Sequence, residues 1–411
     1  MERLVSLLGL VVILLLAWLL SENRRRVPVR VIVSGIALQL VLALILLRSP
    51  PGQAAFEHAQ TFAQQVLSFS DIGAEFVFGE NFREHMLAFS VLPTIIFVSS
   101  AMAVLFHLGI MQWVVKGIAK VMVWVMDTSG SESLAAGAEI FVGMTESPLI
   151  IRPYLETMTR SELMAMMTAG LGTVAGGVLA LYMRWYAEAG AASGHLLAAS
   201  LMAAPASLVI AKLMVPETQT SLTKGVVRVE VPKIDANVID AACRGATDGL
   251  KLALNVAAML IAFLALLGCI NWMLSGISGW LFGVLGIAAE PLTLERILGW
   301  LFCPLAWVIG VPWQDAQIVG MLLGKKLVLN ELLAYQDLLR LKEELSSQRS
   351  LVIATYALCG FANFASVAIL VGGVGGLVPS RRKELAQLGL RAMIGGALAT
   401  LMTACIAGVL I

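Results

Sequence analysis

Long apolar runs divide the chain and predict helices that cross a bilayer. One spanning helix needs about 20 consecutive apolar residues. By that rule the sequence predicts eight spans, at approximately 3–20, 29–48, 91–111, 162–184, 193–213, 248–273, 351–376 and 387–411. The pattern therefore predicts an all-α, polytopic membrane protein.

Composition supports this prediction and excludes other classes of protein. Of the 411 residues, 59% are hydrophobic and 13% are charged, whereas soluble proteins carry about 25% charged residues. A soluble globular enzyme, a disordered tail and a nucleic-acid binder are therefore excluded. Because the formal net charge is only +1, no global field indicates a polyanionic partner. The five cysteines occur singly and there are four histidines, so we expect no disulfide framework and no histidine metal cage.

The distribution of Lys and Arg predicts the orientation of the chain in the membrane. Basic residues concentrate in the loops at 24–30, 224–244 and 381–383. With eight spans and an external N-terminus, all three loops lie on the cytoplasmic side, as the positive-inside rule requires. Both termini are then expected outside.

Two apolar stretches do not fit as simple spans. Residues 133–157 contain the polar segment VGMTESP, and residues 300–337 contain GKK and NE. A re-entrant hairpin enters and leaves on one side, so it preserves the charge asymmetry of the later loops. Non-helical backbone at membrane depth is tolerated only where it lines a cavity or is buried in protein. Each polar segment therefore predicts part of a site.

The two stretches belong to an internal repeat. Each is followed by a polar connector and then by a span broken by small and polar residues, around GLGTVAGG and CGFANFAS. The predicted orientation makes the two hairpins open from opposite sides. This is an inverted-topology repeat, whose binding site is expected at the midplane. Close helix packing alone would explain the glycines, but not the acidic residues described next.

Three glutamates, Glu139, Glu146 and Glu331, lie at predicted membrane depth. A carboxylate at a helix centre costs about 2.5–3.5 kcal/mol on insertion scales. The pattern therefore predicts ligand, ion or proton handling. For Glu331 the alternative is a structural ion pair with Lys325 or Lys326.

Two further segments, 51–90 and 113–127, are typical of amphipathic interfacial helices. We expect four parts: N-terminal spans and interfacial helices (1–127); a first repeat of one hairpin and two spans (128–213); a cytoplasmic loop, a long span and an interfacial helix (214–299); and a second repeat of one hairpin and two spans (300–411).

Rival functions have weaker support in the sequence. Residues 276–279 read GISG, as around the serine of rhomboid proteases, but no histidine lies on a clear partner helix. We interpret GISG as a turn joining helices, because four-residue motifs are prone to false positives. No HExxH, Walker or GxGxxG pattern supports an enzyme, so no catalytic residue is predicted. A channel would need a continuous polar pore, whereas these acidic groups lie in two hairpins.

Several motifs occur together: FVGMTESPLIIRPY, MAAPASLVIAKLMVPET, LKLALNVAAMLIAF, GVPW with LNELLAY, and CGFANFASVAIL. In sequence and order they resemble the concentrative nucleoside transporter family over nearly the whole chain. The resemblance implies a multi-pass homotrimer among the lipids of a bacterial inner membrane. It also implies cation-driven import of nucleosides by an elevator-like movement of a transport region against a scaffold. By this resemblance, 128–213 and 300–411 are the first and second transport repeats, 1–127 includes part of the scaffold, and the long span in 214–299 is a scaffold or trimerisation span.

The resemblance also implies site residues. Those expected to bind the base and ribose are Met144, Thr145, Glu146, Val178, Glu331, Phe361, Asn363 and Ser366. Those expected at the coupling-cation site are Glu139, Val142, Thr173 and Val174. No organic cofactor is implied.

Two of these residues depart from the family pattern. Met144 replaces a glutamine, and methionine cannot make the two amide hydrogen bonds that read a base edge. Either the site accepts a different nucleoside-like or nucleobase substrate, or Met144 merely fills the pocket.

Glu139 replaces an asparagine at the ion site, where a carboxylate could bind sodium or carry a proton. Burial and a nearby cation shift its pKa in opposite directions, so both coupling ions stay open.

Overall fold

The computed structural model describes residues 2–79, 92–144, 146–225, 235–285 and 290–411. Within these ranges the chain is helical and forms no strand, apart from one isolated bridge between Ser129 and Lys224. The predicted all-α class is therefore confirmed. The helices are α1 (Glu2–Leu19), α2 (Val29–Arg48), α3 (Pro50–Phe78), α4 (Leu92–His107), α5 (Ile110–Met126), α6 (Gly130–Glu139), α7 (Ser147–Ile150), α8 (Arg152–Leu155), α9 (Arg160–Gly172), α10 (Gly176–Glu188), α11 (Gly194–Met214), α12 (Val238–Leu285), α13 (Leu294–Val308), α14 (Trp313–Val328), α15 (Glu331–Arg340), α16 (Gln348–Leu358), α17 (Phe364–Leu377) and α18 (Arg382–Leu410).

The predicted spans correspond to these helices. In the described part of the chain, six segments are long and apolar enough to cross a bilayer: α1, α2, the α9–α10 pair, α11, α12 and the segment that ends in α18. The other two predicted spans are α4 and the broken pair α16–α17. The breaks at 173–175 and 359–363 fall within the predicted GLGTVAGG and CGFANFAS segments.

Helix α12 is longer than its predicted span. It has 48 residues, about 72 Å at 1.5 Å per residue, and it begins ten residues before the apolar run. Hydropathy detects only the apolar part of the helix. Its first segment is polar and is stabilised by the Arg244–Asp248 pair at i,i+4. The expectation of a loop over 224–244 was therefore wrong from residue 238 onward. The interpretation of GISG as a turn was also wrong, because it lies inside α12.

One end of the molecule gathers the basic loops. Arg160 pairs with Glu22 at 2.8 Å and approaches Glu384 at 3.7 Å. The Lys224 ammonium lies 3.7 Å from the Asp127 carboxylate. These contacts bring together the first loop, the loop after α11 and the loop before α18, as the charge pattern predicts. The feet of the first hairpin, near 129 and 156–160, lie at this basic end.

The opposite end holds both chain termini and the feet of the second hairpin. Arg349 donates to the carbonyl oxygens of Gly310 at 3.1 Å and Ile411 at 3.2 Å. Lys342 donates to the Ala189 carbonyl oxygen at 2.6 Å. The two hairpins therefore enter from opposite ends, which is the geometry of an inverted repeat.

Cross-hairpin contacts locate the two tips. In the first hairpin, the Ser147 hydroxyl donates to the Ala135 carbonyl oxygen at 3.2 Å, so the chain reverses about residue 141. In the second, the Lys325 ammonium lies 2.5 Å from the Asp337 carboxylate, which places the reversal near residues 329–330.

The second stretch also contains a third helix: α13 precedes the hairpin and meets α14 at 119°. The Gly310–Pro312 segment causes this bend, because Gly310 has φ +105° and Pro312 cannot donate a helical hydrogen bond.

Helix packing distinguishes two groups of helices. Helices α9, α11, α16 and α18 pack together, and α1 and α2 pack on α11 and α18. Helix α4 packs mainly along α12. The predicted interfacial segments 51–90 and 113–127 are helical in α3, up to Phe78, and in α5, while residues 80–90 lie outside the described residues. On α5, Trp113 and Trp124 are 79% and 81% exposed, while Met122 is buried.

Candidate functional site

A cavity of about 440 Å³ lies between the two hairpin tips, the broken helices and α12. Seven of the eight expected substrate residues line it: Met144, Glu146, Val178, Glu331, Phe361, Asn363 and Ser366. The eighth, Thr145, lies outside the described residues. Residues separated by more than 200 positions in sequence thus face one space.

Backbone hydrogen bonds hold the helix breaks together beside this cavity. The Phe361 amide donates to the Thr173 carbonyl oxygen at 3.1 Å, joining the two broken spans. The Gly176 amide donates to the Phe141 carbonyl oxygen at 3.0 Å, joining the first tip to α10. A Cβ at Gly176 would collide with that same oxygen, which explains the need for glycine here. Broken backbone at this depth is therefore satisfied within the protein.

Glu331 is the centre of a buried polar group. Its Oε1 accepts from the Tyr182 hydroxyl at 2.8 Å and its Oε2 accepts from Asn363 Nδ2 at 3.2 Å. The other end of the Asn363 side chain, Oδ1, accepts from the Ser366 amide at 2.8 Å. Asn363 is the N-cap of α17, so helix capping fixes the direction in which its amide donates.

The alternative of a structural ion pair for Glu331 is not found among the described residues. Lys325 pairs with Asp337. Lys326 donates to the Ala357 carbonyl oxygen and to the Thr400 hydroxyl, both at 2.9 Å. A carboxylate has about four lone-pair positions, and neutral groups occupy two of those on Glu331. It can accept further hydrogen bonds from a ligand in the cavity.

The lining of the cavity also has apolar and acidic parts. Met144, Val178 and Phe361 supply apolar surface, and the exposed Glu146 supplies a carboxylate at the first tip. This combination of an apolar wall and a polar edge suits a flat heterocycle.

The expected cation residues cluster deeper than the cavity. Glu139, Val142, Thr173 and Val174 are buried, and only Val142 lines the cavity. Neither carboxylate oxygen of Glu139 has a hydrogen-bond partner in the described part of the chain. A buried carboxylate without donors is costly, so its charge calls for either a bound cation or a proton. The Thr173 hydroxyl donates to the Ala169 carbonyl oxygen at 2.8 Å, which leaves its lone pairs available.

Helix α12 contributes a charged wall that the sequence analysis did not single out. Arg244 contacts both oxygens of Asp235, at 2.6 and 2.9 Å, and all three of Asp235, Arg244 and Asp248 line the cavity. The hydrogen bonds from the Arg244 guanidinium hold the pKa of Asp235 below its ordinary value. The i,i+4 spacing of Arg244 and Asp248 was the available signal.

Tyr182 was also missed. It is buried and orients Glu331 by its hydroxyl, although it does not line the cavity. The available signal was a tyrosine in an apolar span, since a buried tyrosine hydroxyl usually needs a partner.

Comparisons with known proteins agree with this geometry. The chain matches the family models described as "Na+ dependent nucleoside transporter N-terminus" over residues 8–81, "Nucleoside recognition" over 88–189 and "Na+ dependent nucleoside transporter C-terminus" over 195–408. It is 45% identical to the uncharacterized transporter YutK of Bacillus subtilis, with both chains fully covered. It is 42% identical to sodium/nucleoside cotransporter 1 of Rattus norvegicus, of which it covers 64%.

A solved structure shares the fold. The chain is similar to CNTnw in an inward-facing substrate-bound state, with a TM-score of 0.90, 43% sequence identity and coverage of 100% of this chain and 98% of that one. The C-terminal family model alone spans just over half of the chain. On these grounds the protein is a multi-pass membrane transporter and not an enzyme, and it belongs to the Na+-dependent, concentrative nucleoside transporter family.

Proposed function

We propose that the chain imports nucleosides by cation symport, with the substrate in the cavity between the hairpin tips. The observation that carries this proposal is the group Glu331–Asn363–Ser366. It places a carboxylate, an amide and a hydroxyl at one wall of a cavity whose other wall is apolar. Ribose hydroxyls both donate and accept hydrogen bonds, so this wall binds the sugar. The sequence positions of these residues match those of the family's ribose site.

The base lies against Val178 and Phe361, with its polar edge toward Met144 and Glu146. Thr145 joins this edge in the proposal on the basis of its position in the motif. Because methionine offers no amide, fewer hydrogen bonds select the base here than a glutamine would provide. A differently substituted nucleoside, or a nucleobase, is the alternative substrate.

The coupling cation binds at Glu139, with oxygen ligands from Val142, Thr173 and Val174. The unpartnered Glu139 carboxylate supports this assignment. The C-terminal end of α9 adds carbonyl dipoles that favour a cation. Sodium is the proposed ion because of the family, and a proton on Glu139 is the alternative.

One cation is sufficient for useful accumulation. Moving one charge through 100 mV supplies about 2.3 kcal/mol, which corresponds to roughly 50-fold accumulation at 1.36 kcal/mol per tenfold.

Alternating access follows from movement of the two repeats relative to α4 and α12, in an elevator-like mechanism. The packing of α1 and α2 on α11 and α18 favours their moving with the repeats, while the long α12 serves as scaffold and trimer contact. We place the homotrimer in a bacterial inner membrane, with the basic end in the cytoplasm. The four parts of the chain remain as set out from the sequence.

The test is uptake of radiolabelled nucleosides by proteoliposomes, with competition by a panel of nucleosides and nucleobases. We expect saturable uptake whose dependence on the driving cation is altered by Glu139→Gln, because the amide keeps one ligand oxygen, like the asparagine of the family, but removes the charge and the carboxyl proton. If Glu139→Gln leaves both the sodium and the pH dependence unchanged, the assignment of the coupling site is wrong. If nucleobases compete and nucleosides do not, the alternative substrate replaces the proposed one.

A further inference from the structure

The two repeats place oppositely charged residues at equivalent positions. In the first repeat, Glu139 ends α6 and lies against the last turn of α9, where a Cβ at Gly170 would come within 2.6 Å of its Oε2. In the second repeat, Lys326 lies in the last turn of α14 and contacts the last turn of α16 at Ala357. Each residue thus comes from the first arm of a hairpin, just before the tip.

Both positions have the same electrostatic requirement. The last carbonyls of a helix lack intrahelical donors, and the C-terminal end carries a partial negative charge that favours cations. Helices α9 and α16 both end beside the cavity, at the breaks that follow Gly172 and Leu358. A cation is therefore favoured at the end of each helix.

Lys326 meets this requirement in the second repeat. Its side chain is 2% exposed. Its ammonium donates to the Ala357 carbonyl oxygen and to the Thr400 hydroxyl of α18. No ion pair of Lys326 occurs among the described residues, since the neighbouring acidic groups, Glu331 and Asp337, are bound by other partners. Its hydrogen-bonded partners are the end of α16 and Thr400, and the Glu331 carboxylate acts on it only through space, without an ion pair.

The first repeat lacks such a cation. Glu139 adds a carboxylate to the negative end of α9, and neither of its oxygens has a donor in the described part of the chain. A mobile cation is needed there, whereas at the equivalent place in the second repeat the cation is covalently attached.

We propose that Lys326 is a resident cation that fills, in the second repeat, the position that the coupling cation occupies in the first. Because Lys326 supplies the cation of the second repeat, the protein takes up only one exchangeable cation per transport cycle. The second tip and α16 are held together by the Lys326 ammonium and need no exchangeable cation. This inference rests on the proposed cation site at Glu139. Replacing the ammonium with oxygen ligands converts the position into a second site for an exchangeable cation.

The experiment measures the sodium dependence of the melting temperature of the purified, detergent-solubilised protein, with choline chloride replacing sodium chloride at constant ionic strength. The variants are Lys326→Glu, which reproduces the carboxylate of the first repeat, and Lys326→Ser, which leaves room and a hydroxyl oxygen. We expect both to gain a sodium-dependent stabilisation that persists when Glu139→Leu, which removes both oxygens of the first site, is added. In proteoliposomes, the Hill coefficient for sodium activation of uptake is expected to rise from about one to about two.

Lys342 provides the matched control, because its ammonium also donates to a carbonyl at a helix end, Ala189, but is partly exposed. Lys342→Glu and Lys342→Ser are expected to keep the wild-type sodium response. The proposal is overturned if the Lys326 variants respond to sodium no more than these controls do. If Lys326→Glu does not fold, Lys326→Ser decides the question in the same titration. With Lys326 unaltered, a sodium response that is unchanged by Glu139→Leu, which removes both side-chain oxygens, would instead contradict the first-repeat site, and these two failures are therefore distinguishable.

Discussion

Replacing Glu331 with glutamine tests the proposed sugar-binding wall. In the structure, its two carboxylate oxygens accept from Tyr182 and Asn363, at 2.8 and 3.2 Å. A glutamine side chain has only one acceptor oxygen, so its NH₂ group must face one of these two donors or the ligand. If Glu331 binds the sugar as proposed, the variant loses at least one charge-assisted hydrogen bond to a ribose hydroxyl while the shape of the site stays the same.

The expected loss of affinity follows from the strength of that bond. A hydrogen bond to a charged group contributes about 1.5–3 kcal/mol. At 1.36 kcal/mol per tenfold, loss of one such bond weakens nucleoside binding roughly 10- to 150-fold. A dideoxynucleoside lacks the hydroxyls that Glu331 is proposed to bind, so the same substitution should weaken its binding much less.

The assay is calorimetric measurement of Kd for uridine and 2′,3′-dideoxyuridine in detergent. The matched control is Asp337→Asn on the same helix, because Asp337 pairs with Lys325 and does not line the cavity. Equal losses for the two ligands, or an unchanged Kd for uridine, would refute the assignment of Glu331 to the sugar.

Three further predictions test other parts of the account. Gly176→Ala should reduce uptake and lower the melting temperature by overpacking, at a cost of about 1–3 kcal/mol. Gly177→Ala is the control and should do neither, because its Cβ would meet nothing closer than 3.8 Å. Equal effects of the two substitutions would contradict the role of the tip contact. Met144→Gln should tighten nucleoside binding by about 0.5–1.5 kcal/mol through one added hydrogen bond, measured as Kd; no change would show that no base edge lies there. Hydrogen bonding from Arg160 lowers the pKa of Glu22, so its contribution to stability is present above the ordinary glutamate pKa and is lost as the pH falls through the lowered value. Arg160→Gln should therefore reduce the loss of melting temperature on acidification, and an unchanged pH profile would contradict this.

The architecture was largely predictable from hydropathy and charge. Apolar runs predict the spans, and the polar segments within 133–157 and 300–337 predict the hairpins, because burying polar groups in lipid requires a structural reason. Helix ends were less predictable. The polar start of α12 is stabilised by i,i+4 pairing, and the α13–α14 bend is caused by the Gly310–Pro312 segment. Mean hydropathy reports neither of these local effects.

The candidate site was predictable as a set of residue types and only partly as a geometry. The resemblance indicated Glu331 and Asn363, and the structure brings their side chains into contact. The orientation of Glu331 by Tyr182 depends on α10 crossing α15, which no local pattern determines. Likewise, the equivalence of Glu139 and Lys326 becomes visible only when the ends of α9 and α16 are compared in space.

The most direct test of cation-coupled nucleoside transport is uridine accumulation in proteoliposomes, with an inward sodium gradient imposed and then collapsed by an ionophore. The account predicts transient accumulation of radiolabelled uridine above its external concentration while the gradient lasts, and simple equilibration after the gradient is collapsed. Accumulation under a proton gradient alone would make Glu139 a proton carrier and contradict sodium coupling. Uridine uptake that is unaffected by either gradient would contradict the central claim of symport.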